Sequence, residues 1–519
     1  MRRHGHNVAR PSLSWEGASP LLLLMLLCPA RTLHAQAVDQ QAVAQKVQQL
    51  TDAMARTQAQ LEESQRQLEE MRRQLDALRL QMQQGTPAAT TTTPAPSVNA
   101  SSSSSSAIDE VRERQAMQEA QIATHEQTKV ESESKYPVKV TGLLLLNGFA
   151  NSGAVDMPAT PTTTLPGGGA TGASVRQTIL GFDARGPHLF GAQSSADLRV
   201  DFDGTPASTT ASSAYDNSNA TLLRLRTAHA RLQWNHTEAY FSLDRPIISP
   251  DSPSSLTAVA EPALAWSGNL FSWNPQLGVT QDIDLPGSHA LRLQSALIDP
   301  GDAPASAAIV SSSNATPTQP TAAESSRYPG LEARIALVGS RTDDDSNHIG
   351  VGGYFSPHLT SIGRSFDAWA GTLDARLHLP LKLELTGSAY RGLGLGGLGG
   401  NGYKDFAYSE KSDGSGYYFH TLSDVGGWAE LKRRFGQRFE ANAALGIDNV
   451  FANDLHHYTY TGAPLYLNLA RNRTFTGNVI YSPTAYLLFS VEYRRLNSWQ
   501  LSGPSAGANI TGVAVGYKF

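Results

Sequence analysis

From Val43 onward the apolar residues advance in alternating steps of four and three: Val43, Val47, Leu50, Met54, Leu61, Leu68, Met71, Leu75, Leu78 and Met82. On a heptad, Val47, Met54, Leu61, Leu68, Leu75 and Met82 take position a, and Leu50, Met71 and Leu78 take position d. Polar Thr57 and Ser64 share the d register, and Glu62, Glu63, Glu69, Glu70 and Asp76 fall on the outer face. Neither Gly nor Pro occurs between 43 and 84, so a helix of about 60 Å is allowed. A helix lying on a globular surface needs a wider apolar face than this seam. The pattern therefore predicts a coiled coil over 38–84, whose partner helices make the chain an oligomer of two to four copies.

Beyond Pro137 the period changes from 3.5 to 2. Leu198 and Val200 alternate with Arg199 and Asp201, Leu291 and Leu293 with Arg292 and Gln294, and Leu373, Ala375 and Leu377 with Asp374 and Arg376. The chain ends on Val513, Val515, Tyr517 and Phe519 alternating with Ala514, Gly516 and Lys518. Each such strand carries one apolar and one polar face. Leu223 and Leu225 stand opposite Arg224 and Arg226, but Ala228, Ala230 and Leu232 then take the apolar side. That parity flip predicts a β-bulge near Thr227.

Breaks near 186–187, 235–236, 286–287, 343–347, 380, 436 and 483 are short. The polar stretches 151–174, 204–220, 246–274, 300–326, 356–363, 392–419, 454–469 and 497–508 alternate with them and are longer. About sixteen antiparallel strands result, with long connections at one end and short turns at the other. This predicts an all-β transmembrane barrel over 136–519, preceded by the α-helical coiled coil. Hydrocarbon offers backbone amides no partner, so a spanning sheet must close on itself.

Composition agrees. The 519 residues are 40% hydrophobic and 17% charged, with net charge −5, which excludes a basic nucleic-acid-binding domain. A single cysteine, Cys28, excludes a disulfide scaffold. Arg2, Arg3 and Arg10, the apolar run 21–27 and Ala35-Gln36-Ala37 read as a signal peptide over 1–37. That run is too short for a membrane span, and the residues before Cys28 do not resemble a lipobox. The Thr/Pro/Ser-rich stretch 85–107 reads as a linker, and 108–135 as a short helical segment.

Taken together, the heptads, the opening Tyr136-Pro-Val-Lys-Val-Thr-Gly142, Leu223-Leu-Arg-Leu-Arg226 and the terminal Val-Gly-Tyr-Lys-Phe519 resemble trimeric porins. They are similar in particular to the DcaP-like and phosphate-selective types that carry an N-terminal periplasmic coiled coil. The resemblance implies a homotrimer in the bacterial outer membrane, with the coiled coil in the periplasm. The final aromatic resembles the signal read by the outer-membrane assembly machinery. Small hydrophilic solutes would diffuse passively through the lumen, without cofactor or catalysis.

Six arginines, Arg199, Arg224, Arg226, Arg292, Arg334 and Arg376, take the polar parity of their strands. They either attract carboxylates and phosphates in the lumen or brace the wall against Asp197, Asp201, Glu332 and Asp374. The third long connection, 246–274, holds four prolines with Trp266, Phe271 and Trp273. It is expected to fold inward and narrow the pore, as the third loop does in the porins resembled, with Asp251 and Glu261 as its charges. The alternative is packing against a neighbouring subunit. At the level of the whole molecule, the competing reading is a loop-plugged barrel anchoring a periplasmic stalk.

Other motifs lack their context. Gly394, Gly396 and Gly399 match a dinucleotide fingerprint, but no helix follows. Gly503-Pro-Ser505-Ala-Gly507 matches a nucleophile elbow, but no Asp or His lies downstream. His456-His457 and Asp343 to Asp345 lack the rest of a metal-ligand set, so no metal site is expected.

Overall fold

The computed structural model describes Arg73 and residues 138–204, 222–307, 320–343, 345–455, 467–501 and 505–519. The signal peptide, the coiled-coil core (Val47, Leu50, Leu61, Leu68, Leu75, Leu78), the linker, the short helical segment, His456 and His457 lie outside the described residues. The chain divides into Met1–Asp109 and Glu110–Phe519, and the second unit contains the sheet.

Twenty-one strands follow in chain order: β1 Val138–Asn151, β2 Gly153–Val155, β3 Thr164–Gly168, β4 Thr171–Ser174, β5 Ile179–Leu189, β6 Ala192–Gly204, β7 Leu222–Gln233, β8 Thr237–Asp244, β9 Asn274–Asp284, β10 Ala290–Ile298, β11 Gly330–Val338, β12 His348–Leu359, β13 Ser365–Leu379, β14 Leu383–Leu393, β15 Phe406–Glu410, β16 Tyr417–Thr421, β17 Ser423–Phe435, β18 Phe439–Val450, β19 Leu469–Tyr481, β20 Leu487–Gln500 and β21 Ala506–Lys518. Sixteen of them form one closed antiparallel barrel. Each pairs with the next from β5 to β14 and from β17 to β21, β14 pairs with β17, and β1 closes the circle by pairing with both β5 and β21. Short β4 extends the β5 side of β1, while β2–β3 and β15–β16 are hairpins within loops.

Alternation decides which face each side chain takes. In β11, Leu331, Ile335 and Leu337 point outward and are about half exposed, whereas Glu332 and Arg334 point inward and are 2% and 4% exposed. The same division runs through β21, where Val513, Val515 and Tyr517 face out and Ala514 and Gly516 face in. A continuous apolar outer surface of this kind is solvated by hydrocarbon and not by water. Aromatic rings edge it at the short-turn end, where Phe439 stacks on Tyr481 with centroids 4.5 Å apart and Tyr486 stacks on Tyr517 at 6.5 Å.

The bulge lies at the parity flip. Arg199 pairs with Thr227 but Val200 with Leu225, which leaves Arg226 as the extra residue. Four connections differ most from the sequence expectation. The first short turn is Phe190-Gly191, with Gly191 at φ 79°, because 186–187 make an irregularity inside β5 and do not end it. Two of the eight long-side connections are only five residues: β12 and β13 extend until 360–364 remain, and β20 and β21 until 501–505 remain. Polar residues at 356–359 and 497–500 therefore belong to strands, where pairing with a neighbour outweighs their loop-like composition. The alternation of Leu381, Leu383 and Leu385 with Lys382, Glu384 and Thr386 predicts a strand from Leu381, but Leu381 and Lys382 belong to the turn before β14, both at positive φ.

The outer face gives a direct test. Val491→Arg on mid-β20 should destabilise the protein folded in phospholipid vesicles by about 2–4 kcal/mol. Ser490→Arg, on the inner face one residue away, should not carry that lipid penalty. Urea titrations of vesicle-inserted protein would measure both, and equal losses would contradict the assignment of faces.

Candidate functional site

The third long connection, residues 245–273, runs inside the barrel. Its course can be followed by what it holds. Asp251 accepts hydrogen bonds from Arg376 of β13 at 2.5 Å and bonds His348 of β12 at 3.0 Å. Ser254 donates from its amide and hydroxyl to Glu430 of β17, at 2.6 and 3.0 Å. Ser255 and Thr257 donate to the two oxygens of Glu492 on β20, at 2.6 and 2.7 Å. Asn147 of β1 donates to the Leu256 carbonyl at 2.7 Å, and Gln177 binds the loop through both amide atoms. Glu261 and the Ala260 carbonyl then accept from Arg224 of β7, at 3.1 and 2.8 Å. Residues 251–261 thus contact inward side chains from β13 round to β7.

The return leg is apolar. Trp266 stacks on Tyr403 with centroids 3.9 Å apart and meets Phe271 edge-on at 5.6 Å. Ile248 and Leu270 join Tyr354, Ala368, Ala370 and Tyr390 of the wall, with Leu395, Leu398 and Phe406 of residues 394–422, in one buried cluster. Backbone meets backbone where Ser267 and Gly268 touch the wall. A Cβ on Gly446 would sit 2.1 Å from the Ser267 carbonyl oxygen, and one on Gly268, at φ 97°, 2.1 Å from that of Gly427. Of Gly394, Gly396 and Gly399, the last, at φ 100°, serves the same packing by leaving room for the Phe271 ring, whereas Gly394 makes room for Phe366 of β13 and Gly396 for Ala303.

All six arginines singled out from the sequence project inward, each against a carboxylate. Arg199 meets Asp183 at 2.6 Å, Arg292 meets Asp282 at 2.9 Å, and Arg334 meets Asp374 at 2.5 Å. Arg224 bridges Asp201 at 2.8 Å and Glu261 at 3.1 Å, while Arg226 lies 3.6 Å from Asp201. Arg376 bridges Asp251 and Asp345, at 2.5 and 2.9 Å. Of the four expected partners, Asp201 and Asp374 take that role and the other two do not. Asp197 bonds His229 at 2.9 Å, and the Glu332 carboxylate meets none of the six. Trp273 lies beneath two guanidinium groups, 5.3 Å from Arg224 and 4.9 Å from Arg226. Arg224 keeps the regular inward register opposite Asp201, and Arg226 is the extra residue of the bulge.

Burial raises the Asp251 carboxyl, but the His348 hydrogen bond and the Arg376 charge outweigh burial and hold it below its ordinary value. Burial lifts Glu261 above its ordinary value in spite of Arg224. A second lock joins residues 394–422 to the wall: buried Lys404 donates to the carbonyls of Gly402 (3.0 Å) and Leu469, and burial pushes its ammonium down to about 7. Gln177, Glu430, Glu492, Tyr403 and Lys404 were not singled out from the sequence. The inward parity of Glu430 and Glu492, each flanked by outward apolar residues, was the available signal for two of them.

No family model and no curated protein matches the chain. Among solved structures it is similar to the outer membrane channel DcaP of Acinetobacter baumannii, with 15% identity, a TM-score of 0.53, and 74% of this chain and 99% of that one covered. It is also similar to an anion-selective porin from Comamonas acidovorans (10% identity, 74% and 100% covered, TM-score 0.43). OprB of Pseudomonas putida, in a high-pH structure, follows at 9% identity, 74% and 94% covered, and TM-score 0.43. With DcaP the chain shares its barrel fold.

Two outcomes test this loop. Gly446→Val would press on the Ser267 carbonyl and the Leu264 side chain of the loop and should cost about 1–3 kcal/mol, with faster proteolysis inside 245–273. Gly371→Val, which meets nothing within 4 Å, should do neither. Because the folded-state pKa of Asp251 is depressed, its contribution is complete above the unfolded value, about 3.9, and is lost as pH falls through the lower folded value. Loop proteolysis at graded pH should show an acid step in the native protein that is absent from Asp251→Asn.

Proposed function

We propose that the chain is a bacterial outer-membrane porin through which small hydrophilic solutes, anions or dicarboxylates among them, diffuse passively. The observation that carries this is a closed barrel of sixteen strands, apolar outside, whose inner wall presents ion-paired arginines and whose third long loop binds that wall from within. In this reading the long-loop end is extracellular and the short-turn end periplasmic, where Val138 and Phe519 both lie. The signal peptide directs export, the assembly machinery reads the terminal aromatic, and the periplasmic coiled coil holds three copies together. Residues 245–273 narrow the lumen, with Asp251, Glu261, Trp266 and Trp273 setting its width and charge.

Arg199, Arg224, Arg226, Arg292, Arg334 and Arg376 would filter passing solutes. A guanidinium already facing a carboxylate can still offer an N–H to a passing anion, at the cost of sharing it. Selection would therefore be by charge and width together, with no catalytic step and no cofactor.

A second reading is favoured by one observation. Residues 251–261 engage the wall from β13 round to β7, and every one of the six arginines is already paired. A barrel closed in this way could be a structural anchor for a coiled-coil stalk. Conductance separates the two readings. Purified protein in planar bilayers should give discrete channels, with reversal potentials in a salt gradient on the anion side. Arg224→Gln with Arg226→Gln should shift the permeability ratio severalfold toward cations, on the order expected when lumen charge is removed. Complete silence would favour the anchor, and cation selectivity of the native channel would end the anion assignment.

A further inference from the structure

Charge is divided very unevenly between the two faces of the wall. Among the described residues, the cations on the outward register of the barrel strands are Arg391 of β14, Arg433 of β17, Arg471 and Arg473 of β19, and Arg495 of β20. The outward acid is Asp367 of β13. Four of these arginines, on β14, β19 and β20, lie toward the long-loop end of the sector from β14 to β20. The register runs Arg391–Val425–Asn449–Arg471–Trp499 across β14, β17, β18, β19 and β20, with Arg473 one same-face step below that row and Arg495, opposite Phe475, two steps below.

These four differ chemically from the inward set. None meets a carboxylate among the described residues, and each is held by neutral groups. Arg391 lies 4.3 Å over Phe451 and 5.9 Å over Trp369. Arg471 and Arg473 lie 5.8 and 5.2 Å from the Trp499 ring. Arg471 donates to Asn449 at 2.5 Å, and Arg495 donates to Asn509 at 2.9 Å. Aromatic faces and amide oxygens orient a guanidinium without neutralising it, so its charge remains available to an anion.

Next to this belt the outer wall is hollowed. A groove of about 590 Å³ is lined by outward Ala389, Val425, Gly427, Ala429, Leu445 and Ile447, with Asn449 and Arg471 at its long-loop end. Small residues in the middle of the wall, where Leu and Val stand elsewhere, leave an apolar channel beginning at a cation. An arginine facing hydrocarbon costs about 2–4 kcal/mol at mid-bilayer and about 0–1 near the interface. The belt therefore belongs at headgroup height, with the groove in the acyl region beside it.

We infer that this sector binds a phosphorylated glycolipid of the outer leaflet, its phosphates on Arg391, Arg471, Arg473 and Arg495 and one acyl chain in the groove. Two features select this occupant: unneutralised guanidinium groups that match phosphate, and an apolar furrow continuous with them. The inference rests on the outer-membrane reading, since the long-loop end must face that leaflet, but not on the barrel conducting.

Native mass spectrometry of the detergent-purified full chain tests it, using bisphosphorylated lipid A and its dephosphorylated counterpart as probes. The native protein should prefer the phosphorylated form by about tenfold, equivalent to about 1.4 kcal/mol. The combined variant R391Q/R471Q/R473Q/R495Q should reduce that preference to about twofold or less. Ala429→Leu, which fills the furrow, should weaken both forms together, and R433Q at the opposite end should change neither. Heat-modifiable migration on gels verifies that each variant has folded. Equal binding of the two lipids by native protein overturns the inference. So does an unchanged preference in the combined variant, or a loss of oligomer in that variant without loss of lipid, which would make the face a contact between copies. Lipid selectivity without conductance would leave this inference standing and remove the porin reading alone.

Discussion

Backbone amides placed in hydrocarbon have no partner except one another, and the rest of this structure follows from that constraint. A sheet that must satisfy every amide has no edges, so β1 pairs with both β5 and β21, and Phe519 exchanges backbone hydrogen bonds with Gly142. Closure divides the side chains into two populations with opposite solvents. The outer one can carry almost no charge. The inner one can carry a great deal, provided that each charge finds a partner, because the lumen is crowded by the loops folded into it. The ion pairs of Arg292 with Asp282, directly opposite on β10 and β9, and of Arg334 with Asp374, which meet across β12 over Gly350, are the local form of that bargain.

The same division explains what could be read from the sequence. Period-two alternation is imposed by the two solvents, so it survives in the residue order, and even the exception at Arg226-Thr227 was visible because a bulge reverses parity. Turn positions were legible where Pro, Gly or Asn mark them and illegible where the chain prefers pairing to looping. The Gly186-Pro187 pair has the composition of a turn, but β5 and β6 resume their pairing beyond it and the reversal waits for Phe190-Gly191. Likewise the residues around 356–359 and 497–500 are polar enough for a loop, and only the neighbouring strand makes them extended.

The interior of the lumen was harder to anticipate. That 245–273 is too apolar for a solvated loop could be seen from Trp266, Phe271 and Trp273. Which wall residues hold it could not, because the contacts are long-range: Glu430 and Glu492 bind Ser254, Ser255 and Thr257 across more than 170 positions of sequence. Nothing in the local pattern of β17 or β20 distinguishes a carboxylate that grips a loop from one that faces water. The pairings of Asp197 and Glu332 failed for a related reason. Both lie near arginines in sequence, but the register sets Asp197 opposite His229 and Glu332 opposite Ala296 and Tyr354.

Counting arginines on a barrel therefore says little until each is assigned a face and a partner. Each of the six inward arginines named above meets a carboxylate of the wall or the loop and acts chiefly as a brace, in competition with any solute for it. An outward guanidinium has no such competitor, and aromatic rings can fix its position while leaving its charge exposed. Among the described residues, the guanidinium groups on the outward face over β14 to β20 are thus held by rings and amide oxygens instead of carboxylates. Recognition of anions at the rim and their passage through the barrel are separate physical problems, and the arginines available to each are different residues.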